Sequence, residues 1–428
     1  MLQLSWPILL GQMGHMLIGA TNVFVAGRHS ADMVAAIAIA NSFSLLVYIF
    51  FLGFLMGISP VLSNKRGSGK DCGDCLLTCL VYAFAVSVAA ILVLIATCSI
   101  VPFVGIEAKL VPLVQDYMFW FSWSYLGVYM YAAVREFLQA REDVMFVNMV
   151  ALVAVAINLS LNFILVFGYA GLPAMGLNGL AVSTIMVRTL MMLIALLYAS
   201  RFLKNKQFFD HSLIPEFIRV GFPTALAVFL EVAAFCGSTL LIARIDTFQT
   251  AAHNIVFTLA SITYMVPLSI GAAAAVKVAH AHGESNNRRL KEYVSGALFL
   301  SILFMAAGAL CFVLIPEHIM GIFTPDSRLI EIATPILFVA ALFQIMDGAQ
   351  VTLAGILRGL QITKPTFIAC FIGYIILGIP CGALLAYRYH LGAVGIWIGL
   401  AVGLFAVTII LSAVLSKQLK RNTCGQAQ

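Results

Sequence analysis

Charge is what this chain has least of. Asp, Glu, Lys and Arg make up 10% of its 428 residues, against 62% hydrophobic. Soluble domains are nearer a quarter charged and half apolar. A chain this poor in charge cannot cover its apolar surface in water, so lipid is its expected solvent. Catalytic signatures are missing as well. No Asp-rich metal motif, HEXXH, GxSxG or P-loop occurs, so a membrane-embedded transferase or hydrolase has no visible chemistry. No filter-like loop or ring of charge points to a passive channel. No basic segment precedes the first apolar run, so a cleavable signal peptide is not expected.

Cysteine is not scarce, but it is mostly scattered through apolar runs. Of the nine Cys, three cluster in DCGDCLLTC, at Cys72, Cys75 and Cys79. No further Cys or His lies close in sequence to complete a zinc set, so the cluster is read as reduced thiols at a cytosolic helix edge. HAHGE (280–284) is the other metal-like string. No metal site and no cofactor are expected.

What is present is length and apolarity. Twelve segments are marked as spans, at 4–27, 33–62, 76–101, 112–138, 145–168, 177–199, 217–243, 251–278, 292–315, 330–357, 366–387 and 393–416. Most reach the roughly 20 residues a spanning helix needs. The basic strings NKRGSGK (64–70), RFLKNK (201–206), NNRRLK (286–291) and KQLKR (417–421) all follow even-numbered spans. The positive-inside bias then places both termini in the cytosol. The net charge of +6 is thereby a topology signal and not a sign of nucleic acid.

The two halves match at an offset of 216 residues. Pro7 maps to Pro223, Arg28 to Arg244, Tyr48 to Tyr264, Gly67 to Gly283, Gly176 to Gly392 and Gly179 to Gly395. Six spans per half is an even number, so both halves insert the same way, related by an axis along the membrane normal. The expected organisation is an N-terminal lobe at 1–199, a basic linker at 200–216, a C-terminal lobe at 217–416 and a tail at 417–428.

Two carboxylates lie deep in spans of the second half. Glu231 sits in LAVFLEVAAFCG and Asp347 in FQIMDGAQ, roughly 20 Å and 15 Å along their helices at 1.5 Å per residue. An ionised acid at a helix centre costs about 2.5–3.5 kcal/mol on insertion scales. Glu231 shares a face with Thr224, Ala227, Ala234 and Ser238; Asp347 shares one with Phe343, Gln344, Gln350 and Ala354. Small and polar faces suit a bundle interior or a wet cavity, so the pair is read as a site for a proton or Na⁺. Tyr264 and Asn254 are added as possible cavity residues.

The first half has no such acids. His15 and Asn22 share one face, Asn158 and Asn162 another, and the repeat places His15 opposite Glu231. A neutral, hydrogen-bonded His15 is expected. The paired Asn residues either tie helices together or ligate a cation through their carbonyl oxygens. Arg188 is the one basic residue deep in a span. It repels cations, binds an anionic part of a substrate, or snorkels or pairs with backbone carbonyls.

These residues resemble the multidrug and toxic compound extrusion (MATE) family, in its NorM-type branch. The resemblance runs nearly the whole chain. It is carried by 6–30, by GFPTALAVFLEVAAF (221–235), by 251–284 and by QIMDGAQVTLAGILRGLQITKP (344–365). It implies an all-α membrane protein of twelve helices in two six-helix lobes with a cleft between them, alternating between outward- and inward-open. It implies export of drug-like, often cationic and amphipathic compounds against inward Na⁺ or H⁺, with the cation site at Glu231 and Asp347. Where this branch often has Tyr before the aspartate, Phe343 stands, offering a ring face and no hydroxyl. Where the family usually reads VDTVMAG, this chain reads TNVFVAG, with Asn22 at the carboxylate. The implied partners are a small-molecule substrate, Na⁺ or H⁺ and the lipid bilayer, with no nucleic acid. A monomer in a bacterial inner membrane is expected. The alternative is a flippase for a lipid-linked or conjugated metabolite in a related fold.

Overall fold

The computed structural model describes residues 1–70, 75–169, 171–202 and 209–424. Cys72, residues 203–208 of the expected linker (which hold part of RFLKNK) and 425–428 of the tail lie outside the described residues. Among the described residues there is no strand. The long helices are α1 (Leu2–His29), α2 (Ala31–Leu55), continued by the short α3 (Ile58–Gly67), α4 (Leu76–Cys98), α5 (Leu110–Ala140), α6 (Met145–Phe167) and α7 (Gly176–Ser200). They are followed by α8 (Leu213–Ala243), α9 (Thr247–Gly283), α10 (Asn287–Leu314), the short α11 (Pro316–Phe323) and α12 (Ser327–Gly359). The last two spans are a composite helix, from α13 (Lys364–Cys370) through α14 (Ile379–Ala383) to Arg388, and α15 (Gly392–Cys424).

Among the described residues, eleven helices are long and apolar enough to cross a membrane. The twelfth expected span is α5, whose 31 residues suffice in length. Between Asp116 and Arg135, its four Tyr, two Trp and two Ser keep it out of the apolar set. The second span is divided by a turn at Met56–Gly57, and Pro316 opens α11 at the first helical position, where its missing N–H costs nothing.

The contacts divide the chain into two compact units, Trp6–Ala225 and Leu226–Gln428 with Met1–Ser5. The division falls inside α8, beyond the expected linker. The repeat is visible in local geometry at the same 216-residue offset. Ser30 caps α2 by accepting from Met33 N, and Asp246 caps α9 by accepting from Gln249 N. Gly176 and Gly392 open α7 and α15 with φ of 55° and 56°, a conformation in which glycine bears no Cβ penalty.

In the second unit the tightest seam joins α9 to α12. Gly355 and Gly359 of α12 face the backbone of Gly271 and Ala275 of α9. This is a small-xxx-small pattern on both helices, which lets backbones touch where lipid offers no hydrophobic drive. The composite helix is π-helical over Phe371–Gly378 and Leu384–Arg388. Such wide turns shift side chains round the axis and recur at functional sites.

Candidate functional site

In the Leu226–Gln428 unit, four helices deliver polar groups to one place. α8 supplies Glu231, α9 Tyr264, α12 Asp347 and Gln350, and the π-helical segment Tyr374. Tyr264 Oη donates to Glu231 Oε1 at 3.2 Å. Gln350 is near enough to Glu231 and to the Cys370 thiol for its amide to act on both electrostatically. Asp347 is three residues from Gln350, on the same side of α12, and is near enough to Glu231 for the two carboxylates to interact electrostatically. Tyr374 feels both acids. Asp347, Gln350, Cys370 and Tyr374 are buried, and Glu231 is half-buried.

The acceptor oxygens of Asp347 and Gln350 are under-supplied with donors, and the Tyr374 hydroxyl is idle. Asp347 Oδ1, Gln350 Oε1 and Tyr374 Oη are buried without a protein hydrogen-bond partner. Burying such groups unpaired costs about 1–3 kcal/mol each on protein scales. Two acids among oxygen ligands are the donor set of a hard cation or of shared protons.

Three of the expected neighbours are placed elsewhere. Phe343 packs edge-on against Phe235 and Trp397, with ring centroids 5.8 and 5.6 Å away. That aromatic group is pinned by His253. Trp397 Nε1 donates to His253 Nδ1 at 3.0 Å, so Nε2 carries the proton and donates to Thr239 Oγ1 at 2.8 Å. Gln344 turns towards α10. It accepts from Thr263 Oγ1 at 3.1 Å and donates to the Met305 carbonyl at 3.3 Å. Three residues from Asp347, it sits about 60° round the helix, where a bare carbonyl is the nearer partner. Asn254 is exposed, about 80° round α9 from Tyr264. Tyr374 and Cys370 were not among the residues singled out in the sequence. The signal was a Gly373–Gly378–Pro380 interruption of an apolar span.

The Trp6–Ala225 unit holds a different arrangement. Asn162 Nδ2 donates to Asn22 Oδ1 at 2.8 Å and to Asn158 Oδ1 at 3.1 Å. Asn22 Nδ2 donates to Thr184 Oγ1 at 3.1 Å, and Thr21 Oγ1 to Asn158 Oδ1 at 2.6 Å. Ser183 Oγ donates to Asn162 Oδ1. All three amide oxygens thus accept from protein donors, and the network ties α1, α6 and α7. His15 is not part of it. Its ring lies edge-on to Tyr131, 5.4 Å between centroids. Arg188 donates from Nη1 to Ser124 Oγ at 2.7 Å, with its guanidinium 5.0 Å from the Phe121 ring. It meets side chains and not carbonyls. A further pair not singled out in the sequence is Arg135–Glu136, buried at 3.5 Å, with Ser59 donating to Glu136. In the HAHGE string, Glu284 faces His280 at 3.5 Å and Arg289 at 3.3 Å.

The family model MatE matches residues 7–164 and again 223–384. The two matches begin 216 residues apart, the offset of the repeat. A protein of Mesorhizobium japonicum named "Probable multidrug resistance protein NorM" is 34% identical, over 98% of this chain and 93% of its own length. "Multidrug resistance protein NorM" of Vibrio cholerae is 30% identical, over 96% and 93%. The crystal structure of the eukaryotic MATE transporter AtDTX14 superposes with a TM-score of 0.86 at 20% identity, covering 98% of this chain and 97% of that one. That likeness concerns the fold, an all-helical membrane architecture of twelve spans. The chain belongs to the MatE family, the MATE transporters, in the branch of the NorM-named proteins, and is a multi-pass membrane protein.

Proposed function

We propose that this chain is a secondary antiporter that exports drug-like amphipathic compounds, many of them cationic, in exchange for Na⁺ or H⁺. The observation that supports this best is the cluster in the second unit, where Glu231 and Asp347 share surroundings with Tyr264, Gln350 and Tyr374. A cation there supplies the charge that two acids in a membrane interior lack, and favours the protein state that holds it. Substrate loaded from the cytosolic side favours the other state, and exchange of the two drives turnover. One charge moving down 100 mV supplies about 2.3 kcal/mol, roughly a fifty-fold gradient. The basic strings after even-numbered spans support cytoplasmic termini, and the bacterial NorM relatives support a bacterial inner membrane. The names of the NorM relatives support the substrate class.

The test is efflux from vesicles under Na⁺ and pH gradients imposed separately. Glu231→Gln and Asp347→Asn should each abolish gradient-driven transport while leaving the protein inserted and folded. Full transport by the Glu231→Gln form rejects the role given to that carboxylate.

A further inference from the structure

The Trp6–Ala225 unit contains a cation with no counter-charge. Arg188 is the central residue of α7, about 18 Å of helix from either end. An Arg side chain cannot snorkel that far. The residue is half-buried, and among the described residues it makes no ion pair. At Asn22, one turn from it through Thr184, the network offers an amide where the family resemblance expects a carboxylate.

The surroundings are built rather than incidental. A guanidinium carries five N–H donors in a planar fork, and one is used, on the buried Ser124 Oγ. Phe121 closes one face of the plane. Tyr117, Tyr125 and Tyr129 all lie within the field of this charge. Tyr125 and Tyr129 spend their hydroxyls on the Ser44 and Tyr48 carbonyls. Tyr117 does not. Its ring is fully buried and its hydroxyl has no protein partner. The position is held from behind, because Gly127 of α5 lets the α7 backbone approach at Arg188 itself. A cation inside a membrane bundle normally meets an acid or backbone carbonyls. Here it meets a hydroxyl and an aromatic face, with an idle phenol within its field and no acid.

We propose that Arg188, with Ser124 and Tyr117, forms a carboxylate-binding subsite for amphipathic substrates that carry an acid as well as an amine. The proposal rests on the reading of the chain as an exporter of amphipathic compounds, and it names the residues that take a substrate's acid group. A carboxylate accepts two parallel N–H bonds from an arginine fork, and the Tyr117 hydroxyl supplies a third donor.

The experiment is equilibrium binding to the full chain in lipid nanodiscs, with no ion gradient. The probes are a fluorescent xanthene dye with a free carboxylate and its methyl ester, compared by fluorescence polarisation. Wild type should bind the acid about tenfold tighter than the ester, the worth of one good charge-assisted contact. Arg188→Gln should bring the two dyes within about twofold of each other by weakening the acid alone. Arg188→Lys keeps the charge without the fork and should give an intermediate ratio. Equal affinities in wild type, or a ratio unchanged in Arg188→Gln, overturns the proposal. If Arg188→Gln is not monodisperse, Tyr117→Phe takes its place, since it removes one hydroxyl and leaves the ring packing: a reduced ratio is expected, and an unchanged one overturns the proposal. The assay imposes no ion gradient and reads only the ratio of two dyes, so coupling does not enter it. A failure of ion coupling therefore leaves this result standing, and a failure here leaves coupling standing.

Discussion

Replacing Gly355 by alanine tests how far the α9–α12 seam positions the acid cluster. A Cβ built at Gly355 lies 2.2 Å from the Gly271 carbonyl oxygen and 2.7 Å from its carbon. Ordinary contact begins near 3.4 Å, so the helices must part by about 1 Å. The obstructing atoms are backbone, which no rotamer change can clear. Overpacking of this kind costs about 1–3 kcal/mol, and a backbone clash belongs at the upper end. Gly296 of α10 is the comparator, because a Cβ there meets nothing within 4 Å. Gly296→Ala should be neutral or gain up to about 1 kcal/mol from helix propensity. The two variants should therefore differ by about 2–4 kcal/mol. Thermal unfolding of the purified protein in one detergent, both variants beside wild type, reads the difference. Tyr264 lies seven residues before Gly271 and Asp347 eight before Gly355, so parting the seam also pulls on the cluster. Efflux by Gly355→Ala should fall more than the loss of folded protein accounts for. A Gly355→Ala melting temperature equal to wild type would refute the reasoning, since the seam would then have slack that the geometry denies.

Asn162→Ala removes two donations and one acceptance at once, leaving Asn22 Oδ1 without its amide donor. Loss of about 1–3 kcal/mol is expected, seen as a lower melting temperature, and Thr21→Val should cost less. Trp397→Phe strips the donor from His253 Nδ1 and should lower stability by a similar amount, while His253→Ala in the same background should add less than it does alone. The paired Gly176→Ala and Gly392→Ala variants compare one turn in two surroundings. Both place alanine at positive φ, a cost of about 1–2 kcal/mol. Only at Gly392 does the new Cβ meet Gln249, at 2.2 Å, the side chain that accepts from Ala393 N. Gly392→Ala should be the less stable in the same melt, and equal losses would put the whole effect on φ.

Much of the architecture is legible in the residues because apolar length and repeat spacing are local. Span limits follow hydropathy to within a few residues, α5 included although Arg135 and Glu136 lie inside it, except at α15, whose helix runs on through the polar tail to Cys424. The acids were legible for the opposite reason: Glu231 and Asp347 are conspicuous where charge is rare. What they touch was not. Helical spacing puts Gln350 beside Asp347 correctly, yet it puts Gln344 there too, and only the presence of Met305 and Thr263 decides that Gln344 turns away. Tyr374 is beyond reach of any 3.6-residue pattern, because the π-helical turns at Phe371–Gly378 change the register of the side chains that follow. The Asn residues of the first unit could be paired by spacing within α6. Their closure through Thr21, Ser183 and Thr184 depends on three helices meeting, which no single segment encodes.

The repeat turns these differences into an argument about division of labour. Tyr48 and Tyr264 occupy equivalent positions, but Tyr264 donates to a carboxylate, whereas the Tyr48 ring stacks on Tyr129 with centroids 5.9 Å apart. Opposite Glu231 the repeat has His15, held against an aromatic ring. A duplicated fold begins with the same polar positions in both halves, and a charge is costly in either. One half of this chain has kept acids and left their oxygens short of donors. The other has no free acid in its network, has satisfied its amide oxygens with protein donors, and holds a guanidinium whose donors are mostly idle. Idle acceptors favour a cation and idle donors favour an anion. A transporter that keeps the two in separate halves can handle a coupling cation and a substrate's acid without either occupying the other's site.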